Sequence, residues 1–224
     1  FKHGYSVNQP IVDQFKSMYN VNYAVIRNIA VLEDLNIPDK RERFILYQGA
    51  VNEGRSFETL IPAMVNVDAR LIICGDGNFM TQARTLVKLH GLENKIVFKG
   101  KVRPDELKSY TLAAWIGITL FENRGLNNYY SLANRFFDYL HAAIPQICVD
   151  YPVYRDLNNP RPFAVLIDNL DAANIATNIN RLLNDEVLYD KLQNNCMLVR
   201  QQLNWQKEEQ TLLAFYRNLK LRLG

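Results

Sequence analysis

The sequence predicts an α/β fold in which a doubly wound parallel sheet is covered by helices on both faces. Three observations predict it. From Phe44 onward, short apolar runs alternate with amphipathic segments. The runs are apolar at consecutive positions, as strands buried on both faces must be. They close on Gly, Pro or polar residues ahead of the next helical pattern, which is where strand-to-helix turns belong.

In chain order, Phe44–Gln48, Leu71–Cys74, Ile96–Phe98, Ile116–Phe121, Gln146–Val149 and Ala164–Ile167 read as strands. Phe57, Leu60, Ile61, Met64 and Val65 repeat at helical spacing and form one apolar stripe. Met80, Ala83, Leu86, Val87 and His90 form a second, with Gly91 placed to cap its C-terminus. Arg103-Pro104-Asp105-Glu106 opens a third helix, with Pro in its first turn and acids complementing the helix dipole. Phe136, Phe137, Leu140 and His141 mark a fourth, followed by Pro145. Such alternation with right-handed crossovers makes a Rossmann-like sheet, which binds ligands beyond the carboxyl ends of its strands.

The two ends of the chain read differently. Val7–Tyr19 has a helical pattern and Tyr23–Ile26 a strand pattern, followed by a link ending Ile37-Pro38-Asp39-Lys40. At the other end, Ala172–Leu183, Glu186–Leu203 and Trp205–Leu223 are three helical patterns with no strand between them. In the last, Leu212, Phe215, Tyr216, Leu219 and Leu223 share one face that must bury against something. These breaks divide the chain into residues 1–42, 43–203 and 204–224.

Composition narrows the function classes. The 224 residues are 48% hydrophobic and 22% charged, ordinary for a globular protein. The net charge of +3 comes from scattered basic residues, so no nucleic-acid footprint is expected. No apolar run approaches the roughly 18–20 residues of a bilayer span. Phe1-Lys2-His3-Gly4 offers neither an initiator Met nor a signal-peptide core, so the chain reads as a piece of a longer cytoplasmic protein. Cys74, Cys148 and Cys196 are odd in number and distant in sequence, and read as reduced structural thiols.

Four stretches are candidates for chemistry. Gly49 closes the first strand, and a loop containing Gly54, Arg55 and Ser56 leads into a helix. Its backbone and Arg55 could meet a diphosphate, or the glycines could serve turn chemistry alone. Gly75-Asp76-Gly77 follows the second strand; position 80 is Met, so the third glycine of a dinucleotide fingerprint is absent and a nicotinamide cofactor fits poorly. Lys99-Gly100-Lys101-Val102 could expose backbone to a base, or be a plain turn. Finally, Glu122 opens a polar loop with Asn123, Arg124, Gly125, Asn127, Asn128, Tyr129 and Tyr130. Ser131 is expected to start the next helix, with Asn134, Arg135 and Asp138 in its early turns, a suitable set for a polyol and a phosphate. Asp138 among Phe137, Tyr139 and Leu140 needs a partner, either a sugar hydroxyl or a neighbouring Arg.

Taken in order, these residues resemble glycosyltransferase family 4, the retaining group with the GT-B fold. In that family a strand ending in Gly is followed by a Lys-Gly pair opening a helix, then Gly-Asp-Gly, Phe-x-Gly, a glutamate loop and a helix reading roughly Glu-Ala-x-Ala-x-Gly-x-Pro-Val. Here the matching residues are Gly49, Arg55-Ser56, Gly75-Asp76-Gly77, Phe98-Lys99-Gly100, Glu122 and Asp138 through Gln146. Tyr5-Ser6-Val7 and Val25-Ile26-Arg27-Asn28 resemble the end of the N-terminal domain and the interdomain strand, and Trp205 resembles the start of the crossover helix. Ser131-Leu132-Ala133-Asn134-Arg135 resembles a surface-polysaccharide subgroup reading Leu-Pro-Asn-Lys.

The resemblance implies a nucleoside diphosphate sugar as donor, with neither cofactor nor metal, and retaining transfer to an acceptor hydroxyl. Arg55 and Glu122 are the implied catalytic pair. Gly49, Gly75, Gly77, Gly100, Lys101, Val102, Ser131, Asn134, Arg135 and Asp138 are the implied donor-binding set. Backbone amides near Gly49 and the helix starting near Ser131 would meet the leaving diphosphate. The missing N-terminal half would carry the acceptor site and any contact with the inner face of a membrane. Three departures stand out. Ala50 replaces an Arg that contacts the diphosphate, with Arg103, Arg124 and Arg135 as candidate substitutes. Asp138 stands eight positions after Tyr130 rather than after a Glu, which implies an eight-residue insertion carrying the tyrosines. Ser56 replaces Gly. A non-catalytic scaffold domain and a GT-B-shaped sugar-nucleotide epimerase are the rival readings.

Overall fold

The computed structural model describes residues 1–34, 38 and 40–223. Of the link expected to end at Ile37-Pro38-Asp39-Lys40, residues 35–37 and 39 lie outside the described residues, as does the side chain of Leu223. The chain begins with β1 (Tyr5–Ser6), α1 (Gln9–Tyr19) and β2 (Ala24–Val25), the two strands pairing in parallel. Asn8 caps α1 through its side chain, and Asn20 ends it in the left-handed region at φ 52°.

A six-stranded parallel sheet follows. Its strands are β3 (Phe44–Gln48), β4 (Arg70–Cys74), β5 (Ile96–Gly100), β6 (Ile116–Thr119), β7 (Gln146–Val149) and β8 (Ala164–Ile167). Between them run α2 (Phe57–Ala63), α3 (Met80–Leu89), α4 (Pro104–Ala113), α5 (Leu126–Tyr129), α6 (Asn134–His141) and α7 (Pro152–Asn158). The tail is α8 (Ala172–Asn184), α9 (Glu186–Val199) and α10 (Trp205–Leu223). The expected fold class and all six expected strands are present.

The strands are ordered β5-β4-β3-β6-β7-β8. Counted from β3, this is the doubly wound order whose direction reverses between the first and fourth strands. Both faces of β3 are buried: Ile45 and Tyr47 enter the larger core, while Phe44 and Leu46 enter a smaller one with Ile72, Cys74, Tyr139 and Ile144. That two-sided burial is why the strand runs read as continuous apolar segments.

Pairing at the reversal is sparse, with only Ile45 opposite Ile116 and Leu46 opposite Gly117. Tyr139 of α6 fills the gap. Its hydroxyl donates to the Leu46 carbonyl at 3.0 Å and accepts from the Gln48 N–H at 3.2 Å, satisfying backbone groups that strand pairing leaves free. Gly117 has to be glycine here, since a Cβ would come within 2.4 Å of the Tyr139 ring.

Several sequence expectations need correction. The stripe on α2 ends early, because Pro62 lies inside the helix and the chain continues as a single 3-10 turn at Met64–Asn66, leaving Val65 exposed. His90 caps α3 rather than joining its buried face, and Gly91 follows at φ 63° as expected. The Tyr-rich loop contains a short helix, α5. Ser131 does not start a helix: α6 begins at Asn134, with Ala133 as its N-cap.

The apolar stripe on α10 meets the N-terminal segment. Phe215 packs edge-on against Tyr5 at 5.6 Å, and Glu208 pairs with Arg27 at 3.0 Å. Tyr216 stays half exposed. The three cysteines are buried and free, and burial pushes the Cys196 thiol up to about 12.

Arg41 ties two helices together. Its guanidinium donates to the carbonyls of Leu112 and Ala142, each at 2.6 Å, and to that of Ala143 at 3.2 Å. These are orphan carbonyls at the ends of α4 and α6, where a cation is favoured. Arg41→Met should therefore lower stability by about 2–4 kcal/mol in urea unfolding. A loss below about 0.5 kcal/mol would show that water satisfies those carbonyls equally well.

Candidate active site

The strand order places a crevice between the loops that follow β3 and β6. The β3 loop contributes Ala50 and Arg55. Phe121, Asn127 and Asn128 come from the β6 side, and Ser131, Leu132, Ala133 and Arg135 from the approach to α6. Together they line a cavity of about 250 Å³. The two loops are clasped by the Glu122 N–H, which donates to the Gly54 carbonyl at 3.0 Å.

Two guanidiniums meet over one ring. The Arg55 guanidinium carbon lies 4.4 Å from the centroid of Phe121, and that of Arg135 lies 4.7 Å from it. Arg135 also lies 4.6 Å from the ring of Tyr47. Ring faces favour a cation, but they do not replace a counter-charge. Among the described residues, neither arginine has a carboxylate within ion-pair distance. Burial, and then the charge of Arg135, lower the pKa of Arg55.

The other candidate cations are occupied. Arg124 faces Glu122 at 2.5 Å, Glu58 at 3.8 Å and Glu53 at 4.0 Å. Arg103 pairs with Asp105 at 3.1 Å on the surface. Glu122 therefore lies in this region with its carboxylate already engaged. Of the three candidate substitutes for a cation at Ala50, the structure brings Arg135 to Arg55.

Asp138 lies one turn after Arg135 on α6. It accepts from the Gln48 amide at 2.8 Å, while Arg135 donates to the Gln48 carbonyl at 3.2 Å. Gln48 also accepts from the Thr111 hydroxyl at 2.8 Å. Within the protein its hydrogen-bond partner is Gln48, while the foreseen neighbouring Arg, Arg135, acts on it through its nearby charge. Asp138 and Gln48 line a second cavity of about 270 Å³ with Pro104, Leu107, Thr111 and His141. Its carboxyl is raised to about 6, chiefly by burial, against the hydrogen bond from Gln48 and the charge of Arg135.

The glycines divide by role. A Cβ on Gly75 would come within 1.7 Å of the Gly49 carbonyl oxygen, and one on Gly77 within 2.3 Å of the Val51 carbonyl oxygen. Close approach of the two loops thus accounts for both. Gly100 has φ 68° and open space at its Cβ position; Lys101 beside it is exposed and Val102 half-buried. Ser56, where the resemblance has glycine, keeps the left-handed conformation at φ 58° and leaves its hydroxyl buried without a partner.

The expected helix start at Ser131 is corrected, and two of the amides near Gly49 have partners within the protein. The Gly49 N–H donates to the Cys74 carbonyl at 2.9 Å and the Val51 N–H to that of Asp76 at 3.0 Å, so these amides are already used. Ser131 lies before α6, and its hydroxyl is 3.5 Å from that of Tyr154. Asn134, at the true start of α6, accepts from the Asn28 amide at 3.1 Å. Gln48 and Tyr139 were not singled out from the sequence. Gln48 carried one signal, being the polar residue in an otherwise apolar strand.

The sequence profile described as Glycosyl transferases group 1 matches residues 32–197. The chain belongs to this family. A search of curated protein sequences finds no match. Among solved structures, this glycosyltransferase domain is similar to sucrose-phosphate synthase from Thermosynechococcus elongatus, at 19% identity and TM-score 0.78, over 98% of this chain and 59% of that one. It is similar to a mutant of S. aureus TarM in complex with Fondaparinux, α-GlcNAc-glycerol and UDP, at 15% identity and TM-score 0.75, over 96% and 43%. Anabaena HepE in complex with UDP and glucose matches at 15% identity and TM-score 0.71, over 87% and 56%. At these identities the likeness shows the shared GT-B fold. The chain spans about half the length of these structures. No helix among the described residues is long and apolar enough to cross a membrane, and no group of His, Cys, Asp and Glu among them converges as a metal site.

The raised Asp138 carboxyl has a consequence for stability. Between its ordinary value of 3.8 and about 6, the folded protein holds a proton that the unfolded chain has released. Stability must then fall as pH rises through that window. Asp138→Asn keeps the acceptor for Gln48 and removes the titration. Unfolding at pH 4 and pH 7 should show wild type losing on the order of 2 kcal/mol relative to the variant. A parallel pH dependence in both proteins would contradict the burial of this carboxyl.

Proposed function

We propose that this domain binds a nucleoside diphosphate sugar and that the whole protein transfers the sugar to an acceptor hydroxyl with retention of configuration. The observation that carries this reading is the crevice at the strand reversal. It holds two guanidiniums with no ion-pair partner, and one of them, Arg135, stands one turn of α6 from Asp138, a carboxylate lining the second cavity that can accept from a diol. Cations there suit a diphosphate, and Asp138 suits a ribose. That the related TarM and HepE structures are complexes with UDP supports the same assignment.

In this reading Arg55 stabilises charge developing on the leaving diphosphate, and Glu122 faces the sugar. Gly100, Lys101 and Val102 border the base, while Ser131 and Asn134 border the phosphates. The guanidiniums supply positive charge without a metal or a cofactor. Residues 1–42 belong to the acceptor-binding half and its link, residues 43–203 form the donor domain, and residues 204–224 form the crossover helix. The packing of α10 on β1 is consistent with that division. The sequence Leu132-Ala133-Asn134-Arg135 supports placement in family 4, near enzymes of surface-polysaccharide synthesis. That setting is cytoplasmic, with the acceptor half carrying any membrane contact.

The engaged state of Glu122 favours one rival, a domain that binds the nucleotide without catalysing transfer. Two measurements decide. A thermal-shift panel of UDP, GDP, ADP and CMP should show one nucleotide raising the midpoint by several degrees. Ligand at 100 times its dissociation constant adds about 2.7 kcal/mol. No response to any of them would refute nucleotide binding. In the full-length protein, Arg55→Ala should slow transfer by about 10²–10³-fold. An unchanged rate would remove Arg55 from the mechanism.

A further inference from the structure

The crevice is lined by two unlike sets of polar side chains. Arg55 and Arg135 bring charge to it, while Asn127, Asn128 and Ser131 bring neutral amides and a hydroxyl. A guanidinium presents donors only, whereas an Asn amide presents a donor and an acceptor side by side. A sugar hydroxyl is also both donor and acceptor, so the amides match it and the arginines match an anion.

The amide-bearing segment is fixed from outside the crevice. It consists of α5 and the residues after it, the stretch that the resemblance marks as inserted. The Tyr129 ring lies 5.0 Å from that of Tyr151, whose hydroxyl donates to the Phe121 carbonyl at 2.6 Å. The Asn128 amide donates to the Glu122 carbonyl at 3.0 Å. Tyr130 caps the C-terminus of α5, and its carbonyl accepts from the Asn8 amide at 2.7 Å. Asn8 is only 2% exposed, and the oxygen of the same side chain accepts from the Ile11 N–H at 3.0 Å to cap α1. With Asn28 donating to Asn134, two asparagines of the N-terminal segment hold the stretch at both ends. Asn127, by contrast, is exposed.

We infer that Asn127 and Asn128 select among uncharged donor sugars by hydrogen bonding to their hydroxyls, and that Asn8 positions them through Tyr130. The inference rests on the nucleotide-sugar reading above and adds to it the segment that tells one sugar from another. Asn8 touches no substrate and acts only through α5. Because it belongs to the segment read as part of the acceptor half, the choice of donor sugar depends on how that half is seated on this domain.

Calorimetry on the full-length protein tests this with UDP-glucose, UDP-galactose, UDP-N-acetylglucosamine and GDP-mannose, each compared with its own nucleoside diphosphate. The ratio of the two affinities isolates what the sugar contributes. Wild type should show a different ratio for different sugars. In Asn127→Ala the preferred nucleotide sugar should lose about 3- to 10-fold relative to its diphosphate, the scale of one neutral hydrogen bond. Because Asn127 is exposed, this variant should fold. Asn8→Ser keeps an oxygen that can cap α1 but is too short to reach Tyr130. It should move the ratio in the same direction, which a loss of helix stability alone would not do. Equal ratios for all sugars in wild type, or an unchanged ratio in the double variant Asn127→Ala/Asn128→Ala, would overturn the selecting role. An unchanged ratio in Asn8→Ser beside a changed one in Asn127→Ala would overturn the positioning role. If wild type binds no nucleoside diphosphate and no nucleotide sugar, the nucleotide-sugar reading fails as well.

Discussion

The architecture of this domain depends on the divergence of β3 and β6. Parallel crossovers of one hand send the helices of the two halves to opposite faces, so these neighbouring strands part at their carboxyl ends. The gap exposes backbone groups that no strand can reach. Tyr139 reaches them, pressed against Gly117, and so fixes where α6 begins and which of its residues look into the opening. Arg135 and Asp138 stand where they do because Tyr139 does.

The same device sets the electrostatics. Gln48, the last residue of β3, gives its carbonyl to Arg135 and its side chain to Asp138 and Thr111. It fixes a cation and an acid one turn apart in a poorly hydrated site, where electrostatic interactions are stronger than in water. The surrounding charges are arranged to leave that cation alone. Arg124 gathers Glu53, Glu58 and Glu122, so the acids nearest the β3 and β6 loops are held away from Arg55. Two guanidiniums beside one ring without a carboxylate partner cost the fold some stability.

Much of this was legible in the sequence. The strand runs are recognisable because both sheet faces are covered, and the glycine turns because close loop packing leaves no room for a Cβ. The start of α6 was not legible. Ser131 is a better helix cap by residue type than Ala133, but it follows the short helix α5 and lies beside Tyr154, ahead of the true start of α6. Nor could spacing show which arginine would accompany Arg55, since Arg103, Arg124 and Arg135 are equally basic. Only the folded positions of Asp105 and the three glutamates separate them. The interruption of α2 had a visible cause in Pro62, which the apolar periodicity around it outweighed.

A crystal structure of the protein with a bound nucleoside diphosphate is the most direct test of the account. It predicts the two phosphates in the crevice between the β3 and β6 loops, within hydrogen-bond distance of both Arg55 and Arg135, with the ribose at Asp138. A nucleotide seated elsewhere, or phosphates out of reach of Arg55 and Arg135, would contradict it.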